Sequence, residues 1–102
     1  MTRVWVMAAV AASSLALPLW AQDAAKAESC RHQGSVVAAI QQARLDRVKE
    51  RKVQAHVIEN ATWPENFNTA IPLLTPWVYE MKMRDIRAHN LAEAWMELCL
   101  QQ

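Results

Sequence analysis

The chain of 102 residues contains one glycine, Gly34. Phosphate-binding loops need several glycines so that backbone N–H groups can approach the anion, and this sequence cannot build one. Beyond the first twenty residues only Ser29 and Ser35 carry a serine hydroxyl, and neither sits beside a base and an orienting group as a nucleophile requires. Histidine occurs three times, as His32, His56 and His89. None reads as part of a ligand set, so a metal centre would need ligands gathered from several elements, and no cofactor is expected. Nothing in the spacing of the carboxylates singles out an acid–base pair. Convincing strand runs and internal repeats are also missing.

Only one long apolar run is present. Met1-Thr-Arg3 gives a short positive start, and Val4 to Trp20 is uncharged and mostly apolar, with Ser13-Ser14 inside it and Pro18 near its end. Ala21 then precedes the polar Gln22-Asp23. This is the three-part layout of a secretory signal peptide over residues 1–21, with cleavage expected after Ala21. The other reading is an uncleaved anchor. The run is near the lower length limit for a spanning helix, and Pro18 and two serines weaken it. Membrane contact is expected only through this segment. Without it Arg3 is lost, and the remaining ten Lys and Arg balance ten Asp and Glu. A neutral domain has no bulk attraction for nucleic acid, which is excluded as a partner.

About 80 residues remain, a size at which a hydrophobic core alone is marginal. The chain has two cysteines, Cys30 and Cys99. In an exported protein the pair reads as one structural disulfide, closing a loop of about 70 residues. Two cysteines so far apart, with no second pair, do not make a zinc signature.

The rest of the chain is patterned for helices. Residues 22–28 are polar and alanine-rich and read as a flexible lead-in to a helical domain over 29–102. A first helix is expected from Ser29, as N-cap, to Leu45, with Val36, Val37 and Ile40 on its apolar stripe. Gly34 inside it costs up to about 1 kcal/mol relative to alanine, which points to close approach of another helix. A second helix is expected from about Lys49 to Asn60, with Val53, Val57 and Ile58 inward. One long bent helix from Ser29 to Asn60 is the alternative. Pro64 marks an irregular connection around Trp63. The next element spans Thr69 to Met83, with Leu73, Leu74, Trp77, Val78 and Met81 on its apolar face. Pro72 fits its first turn, and Pro76 either restarts or kinks it. The last helix opens at Asn90 with Glu93 three residues on, a capping-box arrangement. Leu91, Trp95 and Leu98 should meet helix one near Gly34 and Val37.

Two stretches are candidates for a partner surface. Trp63 and Phe67 are large aromatic residues in a connection, where a hydrophobic groove for a peptide or partner helix is as plausible as a core role. Arg44, Arg47 and Arg51 belong to a charge-dense segment and would share a face if the helix continued. They read either as a docking patch for an acidic partner or as a solvated turn.

The span from Cys30 to Cys99 resembles a loose type of short exported bacterial protein. The carriers are Cys30-Arg-His-Gln-Gly-Ser-Val-Val-Ala-Ala-Ile-Gln-Gln-Ala-Arg44, the Trp77-Val-Tyr79 step and Leu98-Cys99. That type often has a glycine in the turn after the arginine, where this chain has Arg47. The resemblance implies an all-α, disulfide-clipped bundle in the bacterial periplasm and no established activity. The expectation is therefore a small three- or four-helix bundle with one disulfide, exported to the periplasm, acting as a non-enzymatic binding or accessory protein with a protein or peptide partner. The alternatives are a small hydrolase or metal-dependent enzyme, and a signal-anchored subunit of an envelope complex.

Overall fold

A computed structural model describes residues 18–102. The expected signal peptide lies almost wholly outside the described residues. Within them the chain is all-α, with helices α1 (Leu19–Leu45), α2 (Val53–Glu59), α3 (Ile71–Glu80), α4 (Met83–Ala88) and α5 (Leu91–Leu100). Two 3-10 segments, Glu50–Lys52 and Glu65–Ala70, lead into α2 and α3. None of these helices is long and apolar enough to cross a membrane.

α1 begins ten residues earlier than Ser29, so Ser29 is not its cap. Between Leu19 and Gln33 nothing interrupts a helix, and the alanines at 21, 24, 25 and 27 have the highest helix propensity of any residue. Residues 22–28 therefore continue the helix instead of trailing into it. The buried face of α1 starts only at Cys30 and runs through Gly34, Val36, Val37, Ile40 and Ala43. This stripe is the floor of the bundle. α5 packs on it most extensively, followed by α3. Val53, Val57, Trp63, Ile71, Leu74, Val78, Ile86 and Leu91 complete the core.

α5 reaches α1 through a different stripe from the one expected. Leu91 is buried, and Trp95, Met96 and Cys99 are half-buried, but Leu98 is 50% exposed. Met96 takes the place assigned to Leu98. A Cβ on Gly34 would stand 3.3 Å from Met96 Cγ and push that side chain back by a few tenths of an ångström, so the glycine eases the approach of the two helices. Beside this crossing Cys30 and Cys99 are disulfide-bonded, with Cα atoms 5.7 Å apart. Asn90 caps α5 as expected, its Oδ1 accepting from the Glu93 N–H at 3.2 Å.

Two further apolar stripes are corrected by the structure. Ile58 is 40% exposed and Leu73 78% exposed, so neither faces inward. On α3 the buried set is Ile71, Leu74, Thr75 and Val78, a spacing of three, four and seven that excludes position 73. Thr75 is tolerated because its hydroxyl donates to the Ile71 carbonyl at 2.6 Å. α3 passes through Pro76 without restarting. The charged connection after it is itself helical, as α4.

Helices α1 and α2 are separate. The Val48 N–H bonds the Ala43 carbonyl at 2.9 Å and the Arg47 N–H bonds the Arg44 carbonyl at 3.1 Å, the paired bonds of a Schellman ending. Arg47 holds the left-handed position with φ 61°. A side chain there costs roughly 1–2 kcal/mol, because Cβ crowds the following carbonyl. Part of that is returned on replacing it with glycine, whose unfolded chain is freer. The Arg47→Gly variant is expected to gain about 0.5–1 kcal/mol, read as a higher urea midpoint at unchanged slope.

Candidate functional site

Trp63 is placed in the core. It is 8% exposed, and its Nε1–H donates to Asn68 Oδ1 at 2.8 Å. The sequence left open whether it lined a groove, and burial removes it from any surface. The reason is the 3-10 segment after Pro64, which folds the connection back so that Asn68 reaches the indole. Phe67 is half-buried against the core, with its ring centroid 5.0 Å from that of His32. Neither aromatic is fully exposed.

The basic segment is arranged differently from a single helix face. α1 ends at Leu45, Arg47 turns the chain, and Glu50–Lys52 forms a 3-10 turn. Arg44, Arg47 and Arg51 therefore do not line up along one helix. They border two adjoining grooves. The larger, of about 630 Å³, is lined by Arg47, Val48, Lys49, Arg51, Lys52, Ala55, His56 and Glu59. The smaller, of about 370 Å³, is lined by Arg44, Arg47, Val48, Lys49, Glu50, Tyr79 and Met83. Arg47, Val48 and Lys49 form the ridge between them.

The electrostatics of this corner are uneven. Arg44, Arg47, Lys49, Arg51 and Lys52 bring five cations into nine residues, interleaved with Asp46 and Glu50. Among the described residues the only ion pairs are His32 with Glu28 at 3.7 Å and Arg84 with Asp85 at 3.8 Å, so none of the five is paired. Asp46 instead accepts from Gln42 Nε2 at 3.0 Å. Arg44 lies over the Tyr79 ring, its Cζ 5.0 Å from the centroid. Its Nε is buried and has no hydrogen-bond partner.

Tyr79 ties the corner to α3, because its hydroxyl donates to the Val48 carbonyl. Burial pushes its pKa up; Arg44 pulls it down and Glu50 adds to the rise. The neutral phenol is thus favoured in the fold. The stability it contributes is fully present below the ordinary tyrosine pKa, near 10, and is lost as pH rises through the raised folded value. Tyr79→Phe is expected to lower stability by about 1–2 kcal/mol at neutral pH, since the Val48 carbonyl loses its donor. The loss of stability above pH 10 should also become shallower in the variant, as thermal melts across pH would show.

Two glutamines of α1 matter more than their sequence suggested. Gln41 Nε2 donates to the Ile86 and His89 carbonyls at 2.7 and 2.8 Å, and its Oε1 accepts from the Leu91 N–H at 3.3 Å. One side chain thus joins the end of α4 to the start of α5. Gln33 Oε1 accepts from Trp95 Nε1–H at 3.0 Å. No motif marks either residue, because both depend on partners about 50 and 62 positions away.

The histidines remain dispersed. His32 does not stand alone on its helix face, because Glu28 lies one turn before it with Oε1 3.7 Å from Nε2, but among the described residues no third ligand joins them. Among the described residues no group of three His, Cys, Asp or Glu side chains is placed to hold a metal ion. Compared with known proteins, the chain matches no protein family, no curated protein and no solved structure.

Proposed function

We propose that the chain is a small non-enzymatic binding or accessory protein of the bacterial periplasm that docks an acidic protein or peptide through its basic corner. The observation that carries this reading is the set of five cations between Arg44 and Lys52, bordering two grooves, none of them ion-paired with a carboxylate among the described residues. Unpaired surface cations steer an acidic partner and fix its register, and they act mainly on the rate of association. The disulfide and the signal-like N-terminus support an oxidising compartment. Burial of Trp63 shifts the weight from the aromatic connection to the basic corner.

The test is cross-linking capture from the periplasm with the wild type and with Arg47→Glu/Arg51→Glu/Lys52→Glu. The partner should be lost in the charge-reversed variant, and capture by the wild type should fall with added salt. Equal capture by both would refute the docking reading. Export is checked separately by mass spectrometry of the mature chain. Gln22 is the expected first residue, and an intact Met1 would refute cleavage.

A further inference from the structure

The smaller groove is more specific than a basic surface. Arg44 is half-buried and its Nε is shielded from water without an acceptor. Its guanidinium has no carboxylate partner and is held over Tyr79. With one N–H donor shielded from water and no counter-charge, the guanidinium offers an anion that reaches its remaining donors more than an open surface would. The second observation is independent. Arg47 borders the same groove from the left-handed position that glycine would occupy without strain. The turn that ends α1 fixes Arg47 at the rim of the recess, where its charge adds to that of Arg44. Lys49 is the third cation, and Glu50 the only carboxylate in the lining.

We infer that the recess between Arg44, Arg47 and Lys49 receives a single carboxylate side chain of the acidic partner. The planar guanidinium of Arg44 suits a carboxylate, which it can meet with two parallel N–H donors. A phosphate would bring nearly two charges toward Glu50, whereas a carboxylate brings one. The inference rests on the docking reading and narrows it. The larger groove, with Arg51 and Lys52, steers the acidic segment, and the Arg44 recess anchors it.

The experiment is titration of the 15N-labelled protein, disulfide intact, with a Glu-rich hexapeptide at fixed ionic strength. Saturable shifts are expected at residues 44, 47–50 and 79. Arg44→Gln and Arg47→Gly should each weaken binding at least fivefold, and Arg31→Gln, thirteen residues before Arg44 on α1 and lining neither groove, should not. Arg47→Gly is the decisive variant, because it should fold more stably while binding less well. Wild-type affinity in both Arg44→Gln and Arg47→Gly overturns the anchor. If Arg51→Glu/Lys52→Glu then still weakens the peptide, the docking reading stands without it. Shifts spread evenly over all surface cations, or no saturable binding, overturn the anchor and leave the larger groove to the periplasmic capture experiment. Equal affinity for inorganic phosphate, measured in parallel, would overturn the choice of a carboxylate.

Discussion

Replacing Cys30 and Cys99 by serine, or reducing the bond between them, is expected to remove roughly 4 kcal/mol of stability. The bond spans a sequence separation of 69, and closing a loop of that length takes about this much from the unfolded ensemble on the loop-entropy account. A domain of this size has a total stability of only about 4–12 kcal/mol, so the change should remove roughly a third of it or more. The loss should be felt first at α5. That helix is held to α1 at its start by Gln41, in its middle by Trp95 on Gln33 and Met96 over Gly34, and at its end by the disulfide. Its exposed Leu98 and Leu100 contribute little. Urea unfolding with and without reductant measures the total, and amide exchange along α5 locates it. A shift below about 1 kcal/mol would show that the bundle closes without its staple, contrary to the account of a small core in need of one.

The second large effect is expected at Trp63. Truncation to alanine should cost about 3–5 kcal/mol, the range for emptying a buried aromatic site. Trp63→Phe keeps most of the volume and loses the Nε1–Asn68 bond, with an expected cost nearer 1 kcal/mol. The pair of variants separates packing from hydrogen bonding. It also separates core from surface: a docking tryptophan would lose partner affinity on truncation while leaving the unfolding midpoint almost unchanged. The 8% exposure of the side chain predicts the opposite pattern.

Much of the architecture was legible because it depends on local chemistry. The all-α class follows from helical periodicity, and the Asn90 cap from a short side chain three residues before Glu93. The meaning of Gly34 was also readable. A glycine retained inside a helix implies a neighbour that would crowd a Cβ, and Met96 is that neighbour. The identity of the neighbour was not readable. Leu91, Trp95 and Cys99 belong to the expected and the observed face alike, with Leu98 flanking them on one side and Met96 on the other, and periodicity over a ten-residue helix does not decide between the two flanks. The same ambiguity misassigned Ile58 and Leu73, since an apolar residue beside a stripe looks like part of it. The basic segment shows a second kind of limit. Arg44, Arg47 and Arg51 align on a continuous helix, and no glycine or proline announces the break that separates them. The break is made by Val48, which packs on the core and pulls Arg47 into a conformation its own type disfavours.

From sequence alone came the all-α class, the two residues of the cross-link and the absence of any local catalytic motif, because each rests on residue types and spacings within a turn or two or on a simple count of cysteines. The tertiary structure decided the rest. It set which face of α5 meets α1, moved Trp63 from a candidate surface to the core, and made Gln41 the clamp between α4 and α5. It also left Arg44 unpaired at the edge of a recess. These outcomes share one physical cause. Each is the choice of a partner distant in sequence, made by how well a whole face fits another, and no single segment contains the energy of that fit.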